Sequence, residues 1–275
     1  AASSSTRRRA ADSGTSCWDG GFAMLCRRII PCLDVSGDET VKGVNFGSLA
    51  AVGDPVELAS RYQEEGADEI VVLDVAATPA GRRARTALVS KVADVLMIPL
   101  TVGGGVRGWE DARSLLESGA DKISVNTAAV ETPSLIGRIA GSYGSQCCVL
   151  AVDARRSGPS AWTVLVRSGG HDTGLEALEW GLRAVEEGTG EILLTSWDRD
   201  GTRTGFDLEL TRLFSEHLPV PVIASGGAGR PEDFLEVFLE GGADAALAAS
   251  VFHYGSFSIG SLKEFLANRG VEVRR

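Results

Sequence analysis

The sequence is poor in the residues on which several kinds of chemistry depend. Its 275 residues include only 3 histidines and 5 cysteines. His171, His217 and His253 have no metal-like spacing. Cys17, Cys26, Cys32, Cys147 and Cys148 are odd in number, include one adjacent pair and form no spaced ligand set. No metal site is expected, and no Ser/His/Asp or Cys/His arrangement stands out for nucleophilic catalysis. Cys32 and Cys148 sit in apolar runs and read as packed core thiols. Such cysteine usage suits a reducing, cytoplasmic compartment better than a disulfide framework. No apolar run approaches the ~18 residues that span a bilayer, so no membrane segment is expected. Positive charge is also in deficit: 27 Lys and Arg against 37 Asp and Glu give a formal charge of -10. Sequence-independent attraction to nucleic acid or anionic membrane needs clustered Lys and Arg. Any phosphate this chain binds must therefore be held locally.

What is present is a chain with 44% hydrophobic residues and 34 glycines, within the ~250 residues typical of one barrel domain. Residues 1–24 stand apart. They are small and polar, carry Arg7, Arg8 and Arg9, and lack the apolar core of a secretory signal. The Ser/Arg bias is that of some transit peptides, but Asp12 and Asp19 run against it. The expectation is a disordered leader or added remnant, followed by one domain over 25–275.

From Arg28 onward, short β-branched runs alternate with helix-like stretches, the pattern of consecutive βα units. The runs are Ile29–Val35, Glu69–Val75, Leu100–Val102, Lys122–Val125, Cys148–Val152, Ile192–Thr195, Val222–Ala224 and Ala245–Ala248. Helices are expected over Asp54–Glu65, Trp109–Ser118, Pro133–Tyr143, Gly174–Glu187, Asp207–His217 and Pro231–Glu240. Gly66, Gly119, Gly188 and Gly242 stand where left-handed C-caps precede a strand. Eight such strands predict a closed (βα)8 barrel. The chain also repeats itself: CLDV at Asp34 answers AVDA at Asp153, GGG at 103–105 answers SGG at 225–227, and GADKISVNTA answers GADAALAAS. The nearly constant offset implies two half-barrels of four βα units each.

Asp34 and Asp153 end matched strands, and the C-terminal strand ends of this fold face the active site. An aspartate there often only caps the next helix. Two in symmetry-matched positions are better read as an acid and base pair, because burial and mutual repulsion drive carboxyl pKa values apart. Gly103–Gly105 and Ser225–Gly227 follow strands three and seven. Glycine lets backbone N–H groups approach an anion. Two glycine turns in register, with Asn126 and Thr127 completing the first and Ala248 to Ser250 the second, point to two phosphate sites rather than plain turns. The polar stretch around Thr195, Asp200 and Gly201 is expected to bind substrate. The long connection from Ser36 to Gly47 is read as a mobile lid whose Lys42 either reaches substrate or is an ordinary solvated loop lysine. At the opposite strand ends lie Arg28, Glu69, Lys122 and Glu191. They form either a ring of ion pairs on the barrel floor or ordinary charged αβ turns.

The strings RIIPCLDV, VKGVNF, GDPVELA, TVGGGV, ADKISVNTAAVE, LLTSWDRDGT, ASGGAG and ADAALAASVFH together resemble the cyclase subunit family of imidazole glycerol phosphate synthase, from about Arg28 to Val273. The resemblance implies a lyase of histidine biosynthesis. Such an enzyme uses ammonia to convert a bisphosphorylated formimino aminoimidazole carboxamide ribonucleotide to imidazole glycerol phosphate and an aminoimidazole carboxamide ribotide. It implies Asp34 and Asp153 as catalytic residues and Lys42 as a substrate-side lysine. Gly105, Asn126 and Thr127 match one phosphate site; Asp200, Gly201, Ser225, Gly226, Gly227, Ala248 and Ser250 match the other. Arg28, Glu69, Lys122 and Glu191 match an ammonia gate. No cofactor or metal is implied. The implied partner is a glutamine amidotransferase docked on the barrel floor as a heterodimer. Two rival readings are the ketol-isomerase of the preceding step, which shares the half-barrel repeat, and a non-catalytic phosphosugar-binding subunit.

Overall fold

The structure, a computed structural model, describes residues 26–36, 39–44, 47–75 and 86–274. The expected leader, 1–24, lies outside the described residues, as do Gly37 and Asp38. Eight parallel strands close a barrel in the order β1 (Arg28–Ser36), β4 (Ile70–Asp74), β5 (Leu100–Gly103), β6 (Lys122–Val125), β7 (Cys148–Gly158), β10 (Glu191–Ser196), β11 (Val222–Ser225) and β12 (Ala245–Ala248), with β12 returning to β1. They are the eight runs expected from sequence. Parallel strands are covered on both faces, and segments such as Ile70–Leu73 are correspondingly near-continuous in apolar residues.

The two faces of the sheet carry separate cores. Ile30, Cys32, Val71, Val149, Leu193, Ile223, Ala245 and Leu247 fill the barrel interior. A larger cluster, with Ile29, Leu33, Ile123, Leu150, Phe214 and Phe234, packs the strands against the helices. Those helices are α1 (Pro55–Glu64), α2 (Thr86–Ala93), α3 (Trp109–Glu117), α4 (Thr127–Glu131), α5 (Ser134–Tyr143), α6 (Ala177–Glu187), α7 (Leu208–His217), α8 (Pro231–Leu239), α9 (Ser250–His253) and α10 (Ile259–Ala267). None is long and apolar enough to cross a membrane.

Two expectations are corrected. The connection after β1 is not a plain loop: β2 (Glu39–Val44) and β3 (Gly47–Gly53) form an antiparallel hairpin. The helix expected from Gly174 begins at Ala177, because His171–Glu176 is strand β9, paired with β8 (Ala161–Val166). Both hairpins follow the strand that carries one of the paired aspartates, so the half-barrel repeat extends to its insertions.

The strand starts are pinned by a repeated device. Asp68 accepts from the Ile29 amide at 2.8 Å, Asp121 from Leu100 at 2.8 Å, and Asp244 from Val222 at 3.0 Å. Each aspartate follows a Gly-Ala pair and ties its strand to the start of the strand before it. Before β10 the sequence is Gly188-Thr189-Gly190 instead, and the Thr189 hydroxyl donates to the Cys148 carbonyl at 3.0 Å. Gly188 closes α6 at φ 108° and would place a Cβ 3.2 Å from that of Ala140. Gly188→Ala is therefore expected to cost about 1–2 kcal/mol, lowering Tm by about 2–8 °C in thermal unfolding followed by circular dichroism. The KM should not move, because this end of α6 is remote from the barrel mouth.

Candidate active site

A cavity of about 200 Å³ opens at the C-terminal end of the barrel. It is lined by Asp34 and Asp153 from β1 and β7, by Gly105, Asn126 and Thr127 from the first half, and by Thr195, Asp200, Gly201, Ser225, Gly226, Gly227, Ala248 and Ser250 from the second. Every site residue expected at the mouth is thus gathered there except Lys42. Its backbone pairs with Ala50 across the β2–β3 hairpin, and its side chain lies outside the described residues. The glycine turns are required as glycines. Gly104 has φ 82° and an added Cβ would lie 2.3 Å from the Asp74 carbonyl oxygen; Gly227 has φ 101° and would meet the Gly205 carbonyl oxygen at 2.1 Å.

The two aspartates have different surroundings. Asp153 pairs in register with Thr195 of β10, and one carboxylate oxygen accepts from Asn126 Nδ2 at 3.0 Å. Burial, and then the negative charge of Asp200, push its pKa up to about 7 against the hydrogen bond from Asn126. Asp34 lies across the mouth, 3.4 Å from the Cys32 thiol. Asn126, expected at a phosphate site, is therefore also a direct partner of an aspartate. Its amide donates to the Leu165 carbonyl at 3.1 Å as well, while its buried Oδ1 has no partner among the described residues. The neighbouring Thr127 hydroxyl accepts from the Arg167 amide at 3.0 Å.

At the opposite end, the four expected charges do form a ring. Arg28 pairs with Glu69 at 3.0 Å and also with Glu191; Lys122 Nζ lies 2.8 Å from each glutamate. Thr101 Oγ1 adds a 2.6 Å hydrogen bond to Glu69. Both glutamates are buried. Burial acts to lower the pKa of Lys122, but the attraction of Glu69 and Glu191 outweighs it and holds the amine above its ordinary value. Two cations and two anions thus close the barrel floor with balanced charge. Arg28, Cys32 and Asp34 alternate along one face of β1, which joins this ring to the cavity through the interior.

Sequence reasoning missed Ser168 and Arg203, which line the cavity. Ser168 lies in the turn of the β8–β9 hairpin, which carries no apolar periodicity. Arg203 lies just beyond the polar stretch expected to bind substrate, which ends at Thr202. It took Cys32 for a packed thiol, and Cys32 is buried, but on the inner face and in contact with Asp34. Cys148 lies on the outer face, where burial pushes its pKa up to about 11.

A closed (βα)8 barrel with matched aspartates and glycine turns around a cavity at its C-terminal mouth has the layout of a barrel enzyme's active-site face. Residues 28–258 match the family model described as "Histidine biosynthesis protein", and the chain belongs to that family. It is 57% identical over 251 residues to the imidazole glycerol phosphate synthase subunit HisF of Metallosphaera sedula, a match covering 91% of this chain and 100% of that protein.

Proposed function

We propose that this chain is the cyclase subunit of an imidazole glycerol phosphate synthase in histidine biosynthesis. It takes ammonia and a bisphosphorylated formimino aminoimidazole carboxamide ribonucleotide, and releases imidazole glycerol phosphate and the aminoimidazole carboxamide ribotide. The observation that carries the reading is the pairing of two matched carboxylates over one cavity with a closed, charge-balanced floor at the other end of the same barrel. An isomerase or a simple phosphosugar binder has no use for such a floor. The 57% identity to a cyclase subunit over most of the chain supports the same conclusion.

In this reading Gly105 and Thr127 hold one phosphate, and Gly201, Ser225, Gly226, Gly227, Ala248 and Ser250 hold the other. The substrate ketone is then fixed between Asp34 and Asp153, and orientation supplies much of the rate. Ammonia adds to the ketone carbon, and loss of water leaves an imine. Asp153 is assigned as the acid assisting that loss, because a carboxyl with a pKa near 7 retains a proton at neutral pH. Asp34 takes the complementary role as base. Ring closure then expels the carboxamide ribotide, with the same two groups returning their protons. Lys42 is assigned to the substrate side of the hairpin that follows β1.

As a synthase subunit the chain has a partner subunit. We assign that partner as a glutaminase docked on the face that carries Arg28, Glu69, Lys122 and Glu191, delivering ammonia through the ring into the interior. The test is turnover of the bisphosphorylated ribonucleotide with ammonium salt and no partner. Formation of imidazole glycerol phosphate is expected. Conversion of the preceding aldose substrate instead would favour the ketol-isomerase, and absence of both activities with retained ligand binding would favour a binding subunit.

A further inference from the structure

Four carboxylates, Asp34, Asp74, Asp153 and Asp200, line the cavity, and a substrate with two phosphates adds more negative charge. Among the described residues only one cation, Arg203, lines it. Arg203 follows Gly201 by two residues and packs against Gly229, in the turn that continues from Ser225, Gly226 and Gly227, all three of which line the same cavity. Its guanidinium lies 5.4 Å from the ring centroid of Tyr254, the residue that follows α9. Exposed cation–aromatic pairs of this kind hold a guanidinium in place while leaving its N–H donors available.

The backbone gives a second, independent observation. Arg203 has φ 57°, in the left-handed region that side-chain-bearing residues avoid. The other described non-glycine residues there are Ser160, Arg167 and Ser168, all in turns between antiparallel strands, where the turn geometry demands it. Arg203 lies in no hairpin. Its carbonyl oxygen packs against Gly229, where a Cβ would come within 2.5 Å, so the conformation is fixed by the neighbouring turn. Glycine would fit position 203 without strain, yet the position carries a long cation. Strain retained at the rim of a binding cavity is a mark of function rather than of folding.

We infer that Arg203, held by Tyr254, is the charge-neutralising clamp for the substrate phosphate bound at the second-half site, and so a residue that selects for a substrate phosphorylated at that end. The inference rests on the bisphosphate reading above. It also explains how a chain of net charge -10 holds a polyanion beside four carboxylates.

The test compares KM and kcat for the bisphosphorylated ribonucleotide, at saturating ammonium, in the intact chain and in Arg203→Gly, Arg203→Lys and Tyr254→Leu. Arg203→Gly is expected to raise KM by about 10- to 100-fold, the range of a lost hydrogen bond to a charged group, with kcat little altered and Tm held or raised by relief of strain. Arg203→Lys should restore most of the affinity. Tyr254→Leu should fall between, and the intact chain should lose more affinity with added salt than Arg203→Gly does. Should Arg203→Gly prove unstable, Arg203→Asn tolerates the same backbone and serves instead. A KM equal to that of the intact chain in the glycine or asparagine variant would overturn the clamp, as would a loss confined to kcat. If the intact chain does not turn over this substrate, the cyclase reading fails first. Calorimetric titration with inorganic phosphate then decides the clamp alone: binding weakened in Arg203→Gly sustains it, and equal binding removes it.

Discussion

Asp153→Asn is expected to lower kcat by about 10³-fold, within the range for loss of a positioned acid or base, and at the same time to raise Tm at about pH 8. The two effects share one origin. Burial and the charge of Asp200 hold the Asp153 carboxyl at a pKa of about 7, above its value in the unfolded chain. The folded state therefore binds this proton more tightly than the unfolded state does. Stability from the group is fully present below about pH 4 and is lost progressively as pH rises through about 7. The full shift corresponds to a ceiling of about 4 kcal/mol, reduced in practice because Asp153 keeps partial contact with the open cavity. An asparagine never ionises, and its Oδ1 can still accept from Asn126. The variant's advantage in Tm should accordingly be largest at about pH 8 and absent near pH 4, with the limb of the rate profile near pH 7 missing. A variant that lost activity together with stability at both pH values would mean that Asp153 holds the barrel mouth together rather than moving a proton.

That prediction depends on an environment the sequence only partly discloses. The pairing of Asp34 with Asp153 is legible because both end apolar runs at a constant offset. The eight barrel strands are legible because each contains a short apolar run covered on both faces of the sheet. The partners that make the aspartates unequal are not. Asn126 reaches Asp153 across the β6–β7 seam and Asp200 comes from the loop after β10, contacts made only by barrel closure. The β8–β9 hairpin is not legible in the sequence because His171–Glu176 has no apolar alternation: several of its residues are exposed, and Asp172 and Thr173 fasten it through polar side-chain contacts to Arg155, Thr163 and the Val164 carbonyl. Its Gly174, at φ 70° within the strand, reads as a helix start when position in the chain is the only guide. The helices Thr127–Glu131 and Ser250–His253 are too short to show any period. The charge ring lay between these cases. Its four members were identifiable by position, but only the closed barrel distinguishes a ring from charged turns.

Lys122→Met tests that ring. Methionine keeps the apolar length of the side chain and removes the charge, leaving Glu69 and Glu191, both buried, with Arg28 as their one remaining ring cation. Removing one partner from a buried ion pair costs about 3–5 kcal/mol, because a charge is left uncompensated. Since Lys122 retains some solvent contact, the lower end of that range is expected, a fall in Tm of about 6–12 °C for a chain of this size. The pH dependence separates this cause from simple loss of packing. With one cation gone, the ring is left with two carboxylates against one guanidinium, a net negative charge buried at the barrel floor. A penalty that comes from this charge imbalance is greater at neutral pH than in acid, where the imbalance is relieved. Thermal unfolding of both proteins across pH should show the gap narrowing on acidification, and adding Glu69→Gln to Lys122→Met should recover part of the loss at neutral pH. A gap constant with pH would assign the loss to packing. On the proposed reading the same substitution also breaches the floor: glutamine-dependent turnover with the partner should fall relative to ammonium-dependent turnover, as nitrogen escapes between the two subunits. Equal losses in both assays would leave the ring a structural floor and nothing more.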